Sequence, residues 1–324
     1  MVAEMKAIRV EQFGEPEVMQ LVEVVDPQIS AGQVLVQIRA AGVNPVESYI
    51  RAGIYARKPQ LPYTPGTDGA GIVSAVGPDA GSFKPGDRVF LSGSLSGTYG
   101  ELAVCTPAQV HDLPEVANFA QGAALGIPYA TAFRGLFHRA QARRGEVILV
   151  HGASGGVGTA ALQLARGAGM RVFGSVGSPE GRELVHVLGA DQVFDHTDPS
   201  YRQAILDATD GRGVDCILEM LANVNLGEDL RLLAPRGRVV VIGSRGNVEL
   251  NPRDAMVRDA DIRGMILANA SPEELAAIYK SLGEHLAAGR IQPIIGRELP
   301  LASAAEAHRA VMSQKAHGKI VLIP

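Results

Sequence analysis

Val147-Ile148-Leu149-Val150 runs straight into His151-Gly152-Ala153-Ser154-Gly155-Gly156-Val157-Gly158, and a helical pattern follows to residue 168. No other segment constrains the fold as tightly. An apolar strand with no polar face belongs in a sheet covered on both sides, and a parallel sheet of that kind needs helical crossovers. Further strand-like runs at 171–176, 192–194, 214–218, 238–242 and 262–267 have helical stretches between most of them. The spacing predicts βαβ units and a doubly wound parallel sheet. A helix over 272–288 opens with Ser271-Pro272-Glu273-Glu274, a capping serine followed by proline and early acids.

Ala153, Gly155 and Gly158 occupy the three positions of G/A-x-G-x-x-G. Gly155 lets the backbone approach a pyrophosphate, and Gly158 lets the helix pack closely on the strand. The phosphates would lie on free N–H groups at the helix start, where the macrodipole favours negative charge. Two other readings of these residues stand beside that one. A tight strand–helix turn needs small residues even without a ligand. Gly152-Ala153-Ser154-Gly155-Gly156 also matches G-x-S-x-G, the nucleophile elbow of a serine hydrolase, with Asp215 and His308 following in the required order. The elbow does not explain Gly158, and no HGGG-type oxyanion loop lies upstream. An acid that grips an NAD ribose belongs about 20 residues past the glycines. Here the second strand ends in Gly174-Ser175-Val176-Gly177-Ser178, with no acid before Glu180. Small uncharged residues leave room for a 2′-phosphate, with Arg182 and His196 as candidate neighbours, so the pattern points to NADP.

The first third reads differently, as short β-branched runs at 7–10, 34–38 and 71–76 between proline and glycine turns, the pattern of a barrel-like β unit. Lys319-Ile320-Val321-Leu322-Ile323 is a closing strand expected to rejoin it. The 324 residues suit two domains, and a hydrophobic fraction of 46% supplies cores for both. A net charge of −4 argues against a basic nucleic-acid surface, and two cysteines build neither a disulfide scaffold nor a Cys₄ zinc lobe. Charges at Glu4, Lys6, Arg9 and Glu11 interrupt any signal-peptide core, and no apolar run approaches the ~20 residues of a membrane span, so a soluble cytoplasmic protein is expected.

Asn44-Pro45-Val46-Glu47-Ser48-Tyr49-Ile50-Arg51, Leu61-Pro62-Tyr63-Thr64-Pro65-Gly66-Thr67-Asp68 and the 151–158 loop together resemble the NADPH:quinone oxidoreductases of the zeta-crystallin type, as do Glu219-Met220-Leu221-Ala222-Asn223-Val224-Asn225-Leu226 and Gly243-Ser244-Arg245-Gly246. These are zinc-independent members of the medium-chain dehydrogenase/reductase superfamily, and the likeness runs essentially end to end. It implies an α/β chain in which residues 1–125 and 270–324 form a GroES-like β-barrel substrate domain and residues 126–269 a Rossmann NADP-binding domain. It further implies NADPH contacts at Tyr49, Ser154, Gly155, Gly156, Val157, Gly177, His196, Asn225, Ile242, Gly243, Ser244, Arg245, Met265, Ile266 and Leu267, with Thr131 and Lys319 as weaker additions. Asn44 and Tyr49 are the expected polar neighbours of substrate and nicotinamide.

The same resemblance places Asn44, Thr67 and Ile127 where zinc-dependent alcohol dehydrogenases of the superfamily carry Cys, His and Cys. The short stretch 92–100 replaces their structural-zinc lobe. No metal is expected, since catalytic zinc needs about three protein ligands of Cys, His or carboxylate type and only Asp68 remains nearby. Without a Lewis acid, reducing a quinone or an enone such as a 2-alkenal asks less of a protein than oxidising an alcohol. A homodimer or homotetramer is implied by likeness alone, as are two rival roles, a structural dinucleotide-binding protein and a binder of AU-rich RNA.

Overall fold

The computed structural model describes residues 3–313 and 317–324; Met1 and Val2, the start of the stretch read above for a leader, lie outside the described residues. The chain forms two compact units, one running to Ile127 and resuming at Tyr279–Pro324, the other Pro128–Ile278.

The chain begins with β1 (Glu4–Val10), β2 (Met19–Val25), β3 (Val34–Val43), α1 (Pro45–Arg51), β4 (Asp68–Val76), β5 (Arg88–Ser92), β6 (Leu102–Cys105), β7 (Val110–Asp112) and α2 (Phe119–Gly122). The sequence reading placed only strands and turns in this third, and α1 corrects it. Pro45 takes the first helical turn, where its missing N–H costs nothing, and the Glu47 carboxylate accepts the N–H of Asn44 at 2.8 Å. Next come α3 (Gly126–Phe133), β8 (Val147–Val150), α4 (Gly156–Gly167), β9 (Arg171–Val176), α5 (Pro179–Val187), β10 (Gln192–Asp195), α6 (Tyr201–Asp207), β11 (Val214–Glu219), α7 (Ala222–Leu232), β12 (Leu233–Val241), α8 (Pro252–Met256) and β13 (Asp261–Gly264). The chain continues through α9 (Pro272–Ala287), β14 (Ile295–Pro300), α10 (Ala304–Met312) and β15 (Lys319–Ile323).

In the second unit the order is β10-β9-β8-β11-β12-β13, every pair parallel. Counted from β8 this is 3-2-1-4-5-6, the doubly wound Rossmann order, whose direction of winding reverses between β8 and β11. All four residues of β8 are buried, as a central strand covered on both faces requires. The last strand is shorter than the 262–267 read from sequence. Its ladder ends where Gly264 pairs with Val241, the last residue of β12, and Leu267–Asn269 then turn as a 3₁₀ helix.

In the first unit the sheet runs β14-β15-β3-β4-β5-β7, with β6 also on β3, while β1 and β2 pair separately. Ile8, Val36, Leu91, Tyr99, Ile320 and Leu322 share its core. The closing strand does rejoin the N-terminal unit, since Ile320 pairs with Val43 and Leu322 with Ala41. Among the described residues no helix is long and apolar enough to cross a membrane.

Candidate functional site

Apart from Thr131, which is buried on α3 ahead of the sheet, every expected cofactor residue of the second unit lies past the carboxyl end of a parallel strand or on the helix that follows, the edge where open α/β sheets bind ligands. Past β8, Gly152 turns the chain at φ +59°, and the buried Ala153 donates its N–H to Ser175 O on β9 at 3.0 Å. The two motif glycines then differ in what requires them. A Cβ on Gly158 would lie 2.4 Å from Gly152 O and 2.6 Å from Ala153 Cα, so helix packing excludes any other residue. A Cβ on Gly155 would meet only Gly152 O, at an ordinary 3.4 Å. The protein's own packing does not require that glycine, which fits a cradle open to an external group. The first backbone N–H groups of α4 have no partner within the helix, and Thr159 makes the first bond back to Gly155 O, at 2.8 Å. The loop therefore fits a pyrophosphate.

Beyond β9, Ser178 caps α5 by accepting the Gly181 N–H at 3.0 Å, and a Cβ on Gly181 would lie 3.1 Å from both Ser154 Oγ and Ser178 Oγ. Two hydroxyls thus converge at the start of α5, one turn from the exposed Arg182. His196 packs on Gly177, where a Cβ would meet its Nε2 at 2.6 Å. Burial, then the neighbouring His151, push the His196 imidazole below its ordinary range, so this ring is not a cation at neutral pH. Sequence reading missed Asp195 at the end of β10, an acid whose carboxyl is held low by hydrogen bonds from the Thr197 hydroxyl and N–H, then by His196 and Arg182.

The segment after β11 is laced to the one after β12. Ile242 and Gly243 donate N–H groups to Glu219 O at 2.9 and 3.2 Å, Ala222 donates to Gly243 O at 2.9 Å, and Arg245 to Asn223 Oδ1 at 2.8 Å. Asn225, within α7, directs its amide at Glu219 Oε1, 3.3 Å away. Met265 is buried and bonded to β12 through its N–H, whereas Ile266 is exposed and Leu267 half-buried. The hydrolase alternative fails on geometry: Asp215 bonds Arg212 and the N–H of Val147, at the amino end of the strands, while Ser154 lies past their carboxyl ends.

The first unit gathers Asn44, Glu47, Asp68, Tyr99 and Lys319 into a buried cluster. Lys319 Nζ lies 2.5 Å from Asn44 Oδ1 and 2.8 Å from Asp68 Oδ2, which also accepts the Asn44 amide at 2.9 Å. Asp68 Oδ1 accepts the N–H of Ile127 at 2.8 Å. Glu47 accepts the N–H groups of Asn44 and Thr67 and, at 2.7 Å, the hydroxyl of Tyr99. Burial pushes the Glu47 carboxyl up, against the pull of Lys319. Burial, then Glu47, hold the Tyr99 phenol well above its usual value. The backbone or side chains of all three positions aligned with zinc ligands are thus held by two carboxylates. These residues do not fit a zinc ion, because each carboxylate oxygen already has a donor and the cation of the cluster is an ammonium.

Tyr49, half-buried on α1, ends that helix by accepting N–H bonds from Ile54 and Tyr55 on its carbonyl. A cavity of about 500 Å³ opens beside the cluster, lined by Glu47, Ile50, Pro62, Tyr63, Thr67 and Leu95 among others. Of the cluster, Glu47 was legible as the fourth residue of Asn44-Pro45-Val46-Glu47, a capping pattern. Lys319 gives no local signal of its partner 275 residues away.

A doubly wound sheet with a phosphate-type glycine loop, accompanied by a β unit closed by its own last strand, defines a medium-chain dehydrogenase/reductase. Residues 30–115 match the alcohol dehydrogenase GroES-like domain family, and residues 156–282 the zinc-binding dehydrogenase family. The chain is 50% identical to rat quinone oxidoreductase and 48% identical to the human one, over 98% of each chain. Escherichia coli quinone oxidoreductase complexed with NADPH superposes with a TM-score of 0.89 at 29% identity, covering 98% of this chain and 100% of that one. Pseudomonas syringae quinone oxidoreductase gives 0.89 at 31% identity, covering 99% and 100%. The chain belongs to the quinone oxidoreductase family.

Proposed function

We propose that this protein reduces quinones, or similarly electron-poor conjugated carbonyls, with NADPH and without a metal. The observation that carries the reading is the contrast between two sites. The glycine loop keeps an open phosphate cradle at Gly155, while the position of a Lewis acid is taken by Lys319 and its two acceptors. Bound NADPH supplies the hydride; the protein supplies orientation and exclusion of water.

In that role the N–H groups of Gly156 and Val157 hold the pyrophosphate, and Ser154, Ser178 and Arg182 face the 2′-phosphate. Gly177 and His196 flank the adenosine half. Asn225, Ile242–Arg245 and Met265–Leu267 hold the nicotinamide half, partly through backbone groups. In the first unit, Asn44 and Tyr49 are the polar groups assigned to the acceptor, and the cavity beside Glu47 and Thr67 admits an apolar ring. The fit to the zeta-crystallin type supports a cytoplasmic homo-oligomer. Edge strand β13, with Ile262 45% exposed and Ile266 just beyond its end 53% exposed, offers a surface for pairing between copies.

A panel of quinones, 2-alkenals and simple alcohols, followed by NADPH absorbance, tests the function. Quinones should be turned over fastest with EDTA present. Tight NADPH binding with no acceptor reduced would overturn the reading in favour of a structural dinucleotide-binding role.

A further inference from the structure

One buried group of ionisable side chains in the second unit has no part in the chemistry above. His151 follows β8, Glu219 ends β11 and Asp229 lies in α7, with side chains 4%, 0% and 2% exposed. His151 Nε2 is 2.9 Å from Asp229 Oδ1 and 3.5 Å from Glu219 Oε2, and its Nδ1 is 2.8 Å from Ser175 Oγ. Glu219 Oε1 accepts the N–H of Leu221 and the amide of Asn225. The remaining oxygens, Glu219 Oε2 and Asp229 Oδ2, are buried with no hydrogen-bond donor, and one oxygen of each carboxyl lies with a His151 nitrogen in a group whose atoms are all within 4.8 Å of one another. Two facing acceptors are a poor arrangement in a dry interior, and one proton between them satisfies both.

We propose that Glu219 and Asp229 share a proton, with His151 as the cation beside them, and that this proton holds Leu221 and Asn225 in the geometry that accepts the nicotinamide half of the cofactor. Glu219 is thus a positioning residue. The inference rests on the reading of this unit as an NADPH site. Its geometry joins both walls of that site, because Ser175, which bonds His151, also receives the N–H of Ala153 from the glycine loop. With the proton in place the cluster is one imidazolium and one carboxylate, neutral overall. Without it a second buried negative charge repels Asp229 and pulls on the bonds to Leu221 and Asn225.

The electrostatics agree. Burial pushes Glu219 up to about 7, against the pull of His151. At His151 burial opposes the charged form, but the pull of Asp229 and Glu219 outweighs it and raises the imidazole above its ordinary value. The other groups facing the cluster are Arg202 and Tyr201 on α6, and His196 through His151. All three are retained in the variants below.

The test measures the NADPH dissociation constant from pH 6.5 to 8.5 for wild type, Glu219→Gln and Asp229→Asn, with the infrared carboxyl band of each cofactor-free protein. In wild type the constant should rise by about tenfold between pH 7 and pH 8.5, as the competent fraction falls. A protonated-carboxyl band should fade over the same range. Glu219→Gln, whose amide donates where the proton stood, should bind with a flat profile and lack the band. Asp229→Asn should move the break to lower pH, because its amide stabilises ionised Glu219, and this variant decides the matter should the first fail to fold. Equal pH profiles for wild type and Glu219→Gln overturn the proposal. So does stoichiometric metal in the purified protein that Glu219→Gln loses, since the three donor atoms lie within 4.8 Å of one another. No NADPH binding in any variant overturns the functional reading instead, while the infrared band still judges the shared proton.

Discussion

Replacing Lys319 with Met removes a buried ammonium and keeps an unbranched apolar stem. In the folded protein that ammonium lies 2.8 Å from Asp68 Oδ2, with the two side chains 4% and 0% exposed. Asp68 would be left as a buried charge whose remaining donors, among the described residues, are the Asn44 amide and the Ile127 N–H. Breaking a buried pair in this way costs about 3–5 kcal/mol, most of it the desolvated charge left behind. For a unit of this size each kcal/mol moves Tm by roughly 2–4 °C, so the first unit should melt about 6–20 °C lower. Lys319→Met combined with Asp68→Asn should recover most of the loss, because the asparagine oxygen still accepts from Ile127 and its amide donates to Asn44 Oδ1 once the Asn44 amide, released by Lys319, turns over. Calorimetry of wild type, both single variants and the double variant closes the cycle. A Lys319→Met shift under about 2 °C, or a double variant no better than the worse single one, refutes the argument that these charges depend on each other.

Four further outcomes are expected. NADPH should be preferred over NADH by roughly 10–100-fold in kcat/KM, the worth of charge-assisted bonds to a 2′-phosphate; equal values refute it. Tyr49→Phe should keep kcat within roughly tenfold, below the 10²–10⁴ of a general acid, while Tyr49→Ala mainly raises KM; a hundredfold fall in kcat for the phenylalanine variant would make this phenol the proton donor. EDTA should leave quinone reduction unchanged, and elemental analysis should find no stoichiometric zinc; a zinc whose removal stops turnover contradicts the Lys319 assignment. Burial, then Arg51, push His308 down to about 3. Its folded value lies below the unfolded ~6.5, so acid favours the unfolded chain. Stability from this residue is present above pH 6.5 and lost toward pH 3, at about 1.4 kcal/mol per pH unit, and urea titrations of His308→Gln should lose that slope.

The second unit was legible because its signals are local. Val147–Val150 is apolar without alternation, and the glycine loop follows at once, so strand, turn and helix are written within about a dozen residues. The end of β13 was not legible, since residues 265–267 remain apolar and only the length of β12 stops the ladder. α1 was hidden by the prolines and glycines around it, although Asn44-Pro45-Val46-Glu47 is a readable cap. The site was legible in its backbone parts and opaque in its charges. Asn44 was picked out, but not that Lys319 and Asp68 fix which way its amide faces. His151 and Glu219 both lay in quoted motifs, yet their partner Asp229 is set by the crossing of α7 over the strand ends. Such pairs are decided by topology and leave no periodicity behind.

The pairing of β15 with β3 also sets a timetable. A chain leaving the ribosome completes the parallel sheet of the second unit once Gly264 has emerged. The antiparallel sheet must wait for Lys319–Ile323, although β3, its partner, was made nearly 300 residues earlier. During that interval the Ala41–Val43 end of β3, beyond the part paired with β6, presents unpaired N–H and C=O groups, a template for strands of neighbouring nascent chains. Asp68 meanwhile remains hydrated, because the ammonium that allows its burial belongs to the strand still to come. Docking of β15 therefore seals the sheet edge and neutralises the carboxylate in one late event, so variants that weaken this strand should be recognised first by poor yield and by chaperone retention during synthesis.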